Sequence, residues 1–273
     1  MPVSYLPEHT NWEEARLQNL YADEGWLNLA GLYWMEPGEY TFGSDSSNDL
    51  VFPVDFPQEM GSFFVTTNRV LLTSESTEIT VDGSPLDGPT VVYDETNEAN
   101  AEMVFGDYRW FVINRADNLG VRLRNLQHPA LHHQLDIPKY PTDYRWVVEA
   151  SYVPYDTPKS IAVENILGFR YQMQIPGQLQ FEIEGKAFTL EPIQEGDEFF
   201  IIFSDETSAV ETYGSGRYMY ADMPQGTEGV TLDFNKCYNP PCAFTDYATC
   251  LIPPPENQLA LAIRAGEKDF HMP

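Results

Sequence analysis

From Gly38 onward the chain is punctuated by turn-forming residues at intervals of about ten, and this rhythm limits the fold more than any other feature. Pro37-Gly38, the polar run 43–49, Pro53, Pro57, Gly61, Asp82-Gly83 and Asp87-Gly88 separate short apolar runs. Segments that short bury a face as strands, and successive strands joined by tight turns run antiparallel. Asp82-Gly83 suits a two-residue hairpin because both residues tolerate positive φ. The expected strands are 40–42, 50–52, 63–66, 70–73, 78–81, 90–93, 103–105, 108–114 and 121–126, with 26–34 an apolar run before them. Aromatic residues make up 14% of the chain, including 16 Tyr and 16 Phe, and pleated, half-buried surfaces favour them.

The rhythm breaks at residues 127–143, QHPALHHQLDIPKYPTD, which read as a long connection. Short strands resume at 145–152, 161–166, 170–174, 179–183, 187–192, 198–203, 217–220 and 229–234. Glu184-Gly185-Lys186 reads as another hairpin turn. Residues 258–263, whose Leu259, Leu261 and Ile263 alternate with alanines, are expected as a last, central strand. Before the strands, Thr10 and Glu13 form a capping box for a helix over 11–23, with Trp12, Ala15, Leu17, Leu20 and Tyr21 as its apolar face. The expectation is an all-β fold of antiparallel sandwich or barrel-like sheets with one N-terminal amphipathic helix. It divides into a half at 1–126 that includes the helix and a half at 127–273, or forms one continuous domain.

The chain carries 42 acids against 15 bases, five of them lysines, for a net charge of −27. Phosphate recognition needs clustered Lys and Arg, so nucleic acid and anionic membranes are excluded as partners. An acidic, lysine-poor surface fits a protein working in high salt, and equally an ordinary acidic protein. The N-terminus lacks a basic and apolar leader pattern, and no run reaches the ~18 apolar residues of a membrane span. A soluble, cytoplasmic protein is expected, with export left open if a leader was removed. Oligomeric state is not legible.

The sequence contains no G-x-S-x-G, H-E-x-x-H, P-loop, G-x-G-x-x-G or paired C-x-x-C, which argues against the commonest hydrolase, nucleotide and dinucleotide classes and predicts no cofactor. Ser215, between Gly214 and Gly216, reads as a turn residue rather than a nucleophile. His128 and His132 would share a helix face, with Asp136 as a third zinc ligand. Loop histidines without a metal are the commoner case, and no metal is expected. Cys237, Cys242 and Cys250 match no metal spacing, and buried packing thiols are expected in preference to a 242–250 disulfide.

Residues 232–267 are the chemically densest stretch. Alternation places Asp233 and Asn235 on one face of a strand end, opposite Leu232 and Phe234. Pro240 and Pro241 then hold Asn239 and Cys242 in a stiff loop, near Tyr238, Thr245 and Tyr247. Such a loop builds either a pocket or a plug whose amides satisfy one another, and both readings stand.

The runs GWLNLAGLYWMEPG, FSDETSAVETYGSGRYMY, LDFNKCYNPPCAFTDYATCLIPPPENQL and AIRAGE resemble the bacterial and archaeal domain of unknown function family numbered 1684, over 12–267. The resemblance implies no activity. It implies that Asp205, Thr207, Tyr213, Gly216 and Arg217 share a pattern with the C-terminal run, and that Cys237 stands where a small residue is expected. The runs GEYTFGSDSSNDLVFP, FFVTTNRVLLTS and ITVDGSPL are similar to the start of forkhead-associated domains, which implies a β-sandwich. Ser44 stands where an Arg would follow Gly43, so phosphopeptide binding does not carry over.

The leading functional reading is recognition of a small polar ligand by Arg217, Asn235, Tyr238, Asn239 and Glu267, beside Asp205 and Asp233. In the alternative, a hydrolase, Asp205 or Asp233 is the general base and Arg217 the electrostatic stabiliser. In the third, the protein is structural and every one of these groups is paired internally.

Overall fold

A computed structural model describes residues 2, 4–224 and 229–272. It is an all-β protein with one N-terminal α-helix among those residues. The chain divides into two compact units, 21–133 and a second made of 1–20 with 134–273. The boundary at 133/134 falls inside the connection 127–143, and residues 1–20 group with 134–273.

Unit 21–133 contains β1 (Leu29–Met35), β2 (Gly38–Gly43), β3 (Leu50–Val51), β4 (Gly61–Val65), β5 (Arg69–Thr73), β6 (Thr80–Val81), β7 (Ser84–Pro85), β8 (Thr90–Asp94), β9 (Ala99–Asn100), β10 (Met103–Phe105), β11 (Tyr108–Arg115) and β12 (Asn118–Asn125). They form two six-stranded sheets ordered β1-β12-β11-β10-β6-β7 and β3-β2-β4-β5-β8-β9. Alternation turns Tyr108, Trp110 and Val112 inward from β11, onto Phe42, Phe63, Val70 and Leu72 of the other sheet. Asp82 and Gly83 take φ of 49° and 76° in the β6–β7 hairpin, as their sequence predicts. Ser44 donates its hydroxyl to the Phe56 carbonyl at 2.7 Å.

The other unit contains α1 (Tyr5–Tyr21), β13 (Val147–Glu164), β14 (Arg170–Ile183), β15 (Lys186–Leu190), β16 (Ile193–Glu195), β17 (Glu198–Asp205), β18 (Arg217–Asp222), β19 (Val230–Asp233) and β20 (Gln258–Leu259). Its sheets run β15-β14-β13-β19 and β16-β17-β18, with β20 parallel to the end of β17. The central strand is β17, not 258–263. Phe199, Ile201 and Phe203 enter one core while Phe200 and Ile202 enter another, so its uninterrupted apolar run is buried on both faces. Only Gln258–Leu259 of the expected last strand pairs as a strand. Beyond it the Leu261 carbonyl still accepts from the Glu206 N–H at 3.1 Å, and at Ile263 and Ala265 the backbone turns to side-chain partners.

Helix α1 starts at Tyr5, six residues before the expected start, and Thr10 is interior, its hydroxyl donating to the Leu6 carbonyl at 2.9 Å. Pro7 sits in the first turn, where the missing N–H has no helical partner to lose. Of the expected apolar face, Leu20 is buried and Trp12 and Tyr21 are half-buried, whereas Ala15 is exposed and Leu17 is 38% exposed. The inward stripe is Tyr5, His9, Arg16 and Leu20, spaced by four and seven residues. Three of those four side chains are polar, and each has a defined partner on the C-terminal segment.

Candidate functional site

Arg217 opens β18 and Asp205 closes β17, and both are buried at the join of the two strands. The guanidinium donates to Asp205 Oδ2 at 2.7 Å and to the Ile263 carbonyl at 3.0 Å, and also to the Ala265 carbonyl. Asp205 accepts in addition from the Thr207 N–H at 2.8 Å, from the Thr207 hydroxyl and from the Ile263 N–H at 3.3 Å. The pair thus supplies residues 263–265 with the donors and acceptors a neighbouring strand would give. This is why the expected strand stops at Leu259. With its lone pairs filled and its side chain shielded, Asp205 is poorly placed as a general base, and Arg217 has no face turned to a ligand.

The segment so clamped carries Gly266 and Glu267. Gly266 has φ 74°, and a Cβ there would lie 2.4 Å from the Cys237 carbonyl oxygen, so only glycine fits. The Glu267 carboxylate accepts from the Asn239 N–H at 2.6 Å and from Arg16 Nε at 3.3 Å. Asn239 donates its amide to the Lys268 carbonyl at 2.8 Å, and its buried Oδ1 has no partner among the described residues. Arg16 also donates to the Asn239 carbonyl at 3.2 Å and lies 4.6 Å over the Tyr238 ring. Tyr238 therefore contributes its π face, and burial drives its phenol pKa upward. Cys237 packs against Met219, and burial likewise raises its thiol pKa, so it is an inert core residue as expected.

Beyond Pro240 and Pro241, Cys242 and Cys250 are joined in a disulfide, with Cα atoms 6.3 Å apart. The expectation of packing thiols is corrected for these two. The prolines and the turn at Pro241–Ala243 bring Cys242 onto Cys250, whose sulfur also accepts the Cys242 N–H at 3.0 Å. Replacing both with serine should cost about 2 to 3 kcal/mol, the loop-closure value for so short a ring. Chemical denaturation with and without reductant measures it, and equal midpoints would show that the bridge contributes nothing.

Asp233 ends β19 and caps the turn Phe234–Lys236, accepting the Asn235 N–H at 3.1 Å. Strand alternation therefore stops one residue before Phe234. Asp233 and Asn235 still converge, because Tyr5 lies between them: its hydroxyl donates to Asp233 at 2.9 Å and accepts from Asn235 Nδ2 at 2.9 Å. Asn235 also bonds the backbone of Asp143 in both directions, at 3.0 Å each. His9 Nε2 lies 3.2 Å from the Asn235 carbonyl, which can only accept, so that nitrogen carries a proton.

Above this junction is a cavity of about 360 Å³. Its first wall is α1, through His9, Thr10, Trp12, Glu13, Glu14, Arg16 and Leu17. Leu135, Asp136, Ile137, Lys139, Tyr140 and Thr142 form the second, and Asn235, Gly266 and Glu267 the floor. The Lys139 ammonium pairs with Glu13 at 2.6 Å across the opening. Of the residues singled out from the sequence, Asn235, Glu267 and Asp136 line this space. Asp205, Arg217, Asp233, Tyr238 and Asn239 do not.

Burial raises the Glu267 pKa above the ordinary 4.5, opposed by Arg16 and the Asn239 N–H. A carboxyl that holds its proton more tightly when folded loses stability as pH rises through that window. Glu267→Gln keeps an acceptor on the same site and removes the titration. The wild type should therefore fall behind the variant progressively above pH 4.5, with a constant difference below it. Thermal melts from pH 3.5 to 7 test the sign, and a wild type that gains on the variant with rising pH contradicts it.

His128 caps the turn Pro129–His132, Nδ1 accepting the Ala130 N–H at 3.2 Å. Among the described residues no three His, Cys, Asp or Glu side chains are grouped to hold a metal ion, and this includes His128, His132 and Asp136. The sequence reading did not find His9, Trp12, Arg16, Lys139 and Tyr140. A polar stripe at 5, 9 and 16 was the available signal, but Ala15 and Leu17 suggested a different face.

These features define a β-rich protein whose N-terminal helix, docked by polar side chains, forms one wall of a mixed cavity. Residues 134–268 match the family model described as Protein of unknown function (DUF1684). The match begins at 134, not at Trp12 as the sequence resemblance had it. Among solved structures, the chain is similar to an uncharacterized protein of Haloarcula marismortui determined by solution NMR. That likeness has 28% identity, covers 48% of this chain and 75% of that one, and gives a TM-score of 0.41. No curated protein matches. No helix among the described residues is long and apolar enough to cross a membrane.

Proposed function

We propose that the protein recognises a small polar ligand in the cavity beside α1, with Asn235 and Glu267 as its floor. The observation that carries this reading is the composition of that space. Apolar Trp12, Leu135 and Ile137 line it together with the buried polar His9, Asn235 and Glu267, in a volume near the lower end of known ligand sites. Arg217, Asp205, Asp233, Tyr238 and Asn239 act one layer away, by fixing the segment that carries Glu267. The unpartnered Oδ1 of Asn239 lies in this supporting layer. Thermal melting against a panel of amino acids, amines, sugars and short carboxylates tests the proposal. A ligand at 100 times its Kd adds about 2.7 kcal/mol. The same panel should not shift Thr10→Trp, which fills the space from an exposed helical position. A wild type that no compound stabilises, or equal shifts in the variant, defeats the proposal.

A further inference from the structure

We infer that the ligand class of this cavity is a small organic cation, an amine or ammonium carried on an apolar body. The inference rests on the reading of the cavity as the ligand site and adds the sign of the ligand's charge. The lining holds four carboxylates, Glu13, Glu14, Asp136 and Glu267, against two permanent cations, Arg16 and Lys139.

Both cations are already engaged. Arg16 is turned toward Glu267, the Asn239 carbonyl and the Tyr238 ring, and Lys139 is held by Glu13. An anionic ligand would have to displace a carboxylate from one of them, inside a protein of net charge −27. Glu14 and Asp136 enter no ion pair among the described residues, and they stand on opposite walls. A cation between them gains from both, and the half-buried Trp12 ring offers a π face for its apolar or N-methylated end. Lys268 Nζ, 5.1 Å over the Tyr140 ring, shows the same cation-and-ring pairing at the neighbouring aromatic.

Benzylamine, benzyl alcohol and benzoate carry the same ring with a positive, neutral and negative head. By isothermal titration at low salt, benzylamine should bind tightest, benzyl alcohol about tenfold more weakly, and benzoate not measurably. Molar KCl should bring benzylamine to the level of the alcohol while leaving the alcohol unchanged. Glu14→Gln with Asp136→Asn, both at exposed positions, should weaken benzylamine about fivefold to tenfold without altering benzyl alcohol. Equal binding of amine and alcohol overturns the charge assignment but leaves the cavity as a site, and tighter benzoate reverses the sign. If none of the three binds, this inference falls, and the melting panel on wild type and Thr10→Trp decides the site separately.

Discussion

Arg217→Ala should unfold the protein at a temperature about 10 °C or more below wild type, the largest effect of any single substitution considered. Asp205 would be left as a buried carboxylate without its cation, a loss of about 3 to 5 kcal/mol when one member of such a pair is removed. The Ile263 and Ala265 carbonyls would lose their donor at the same time, and a buried acceptor left unmade adds about 1 to 3 kcal/mol. At this chain length each kcal/mol moves the midpoint by about 2 to 4 °C. Arg217→Lys should recover part of the loss, because one ammonium reaches Asp205 but cannot fork to the carbonyls. The damage should show first in the segment after Leu259, as faster amide exchange at Ile263. An unchanged midpoint with lost ligand binding would return Arg217 to the role its sequence first suggested.

Arg16→Ala is the second large effect, expected at about 2 to 4 kcal/mol. It removes the cation beside Glu267, a donor to the Asn239 carbonyl and a stack on Tyr238. Glu267 would then hold its proton more tightly still, so the fall in stability with rising pH should be steeper than in wild type. In a double-mutant cycle, adding Glu267→Gln to Arg16→Ala should cost much less than the separate changes predict, because the stranded charge is gone. Additive losses would mean that the two side chains do not act as a pair. Since Arg16 sits on α1 and Glu267 on the C-terminal segment, the same cycle measures how firmly the helix is docked.

The strands were legible because tight turns are local. Asp82, Gly83 and Gly185 adopt positive φ values that their residue types tolerate, and 103–105 forms a strand with the expected bounds. The helix was legible as an element but not in its facing. Trp12, Ala15 and Leu17 suggest an apolar stripe, whereas Tyr5, His9 and Arg16 turn inward with Leu20, because buried acceptors more than 220 residues away are waiting for the three polar side chains. The 258–263 strand was misread for the related reason that its hydrogen bonds are taken by Arg217 and Asp205, which no alternation rule anticipates. Of the candidate site, the C-terminal residues were found by their density. The opposite wall at Leu135, Lys139 and Tyr140 lay in a stretch that reads only as a connection.

The division between a clamp and a cavity is the central claim, and amide shift mapping tests it most directly. With 15N-labelled protein titrated with a library of small polar fragments, including the amines, the perturbed amides should cluster at His9, Thr142, Asn235, Gly266 and Glu267. The amides of Asp205, Thr207 and Arg217 should stay within the noise. Perturbations centred on Asp205 and Arg217, or scattered over the surface without saturation, would contradict it.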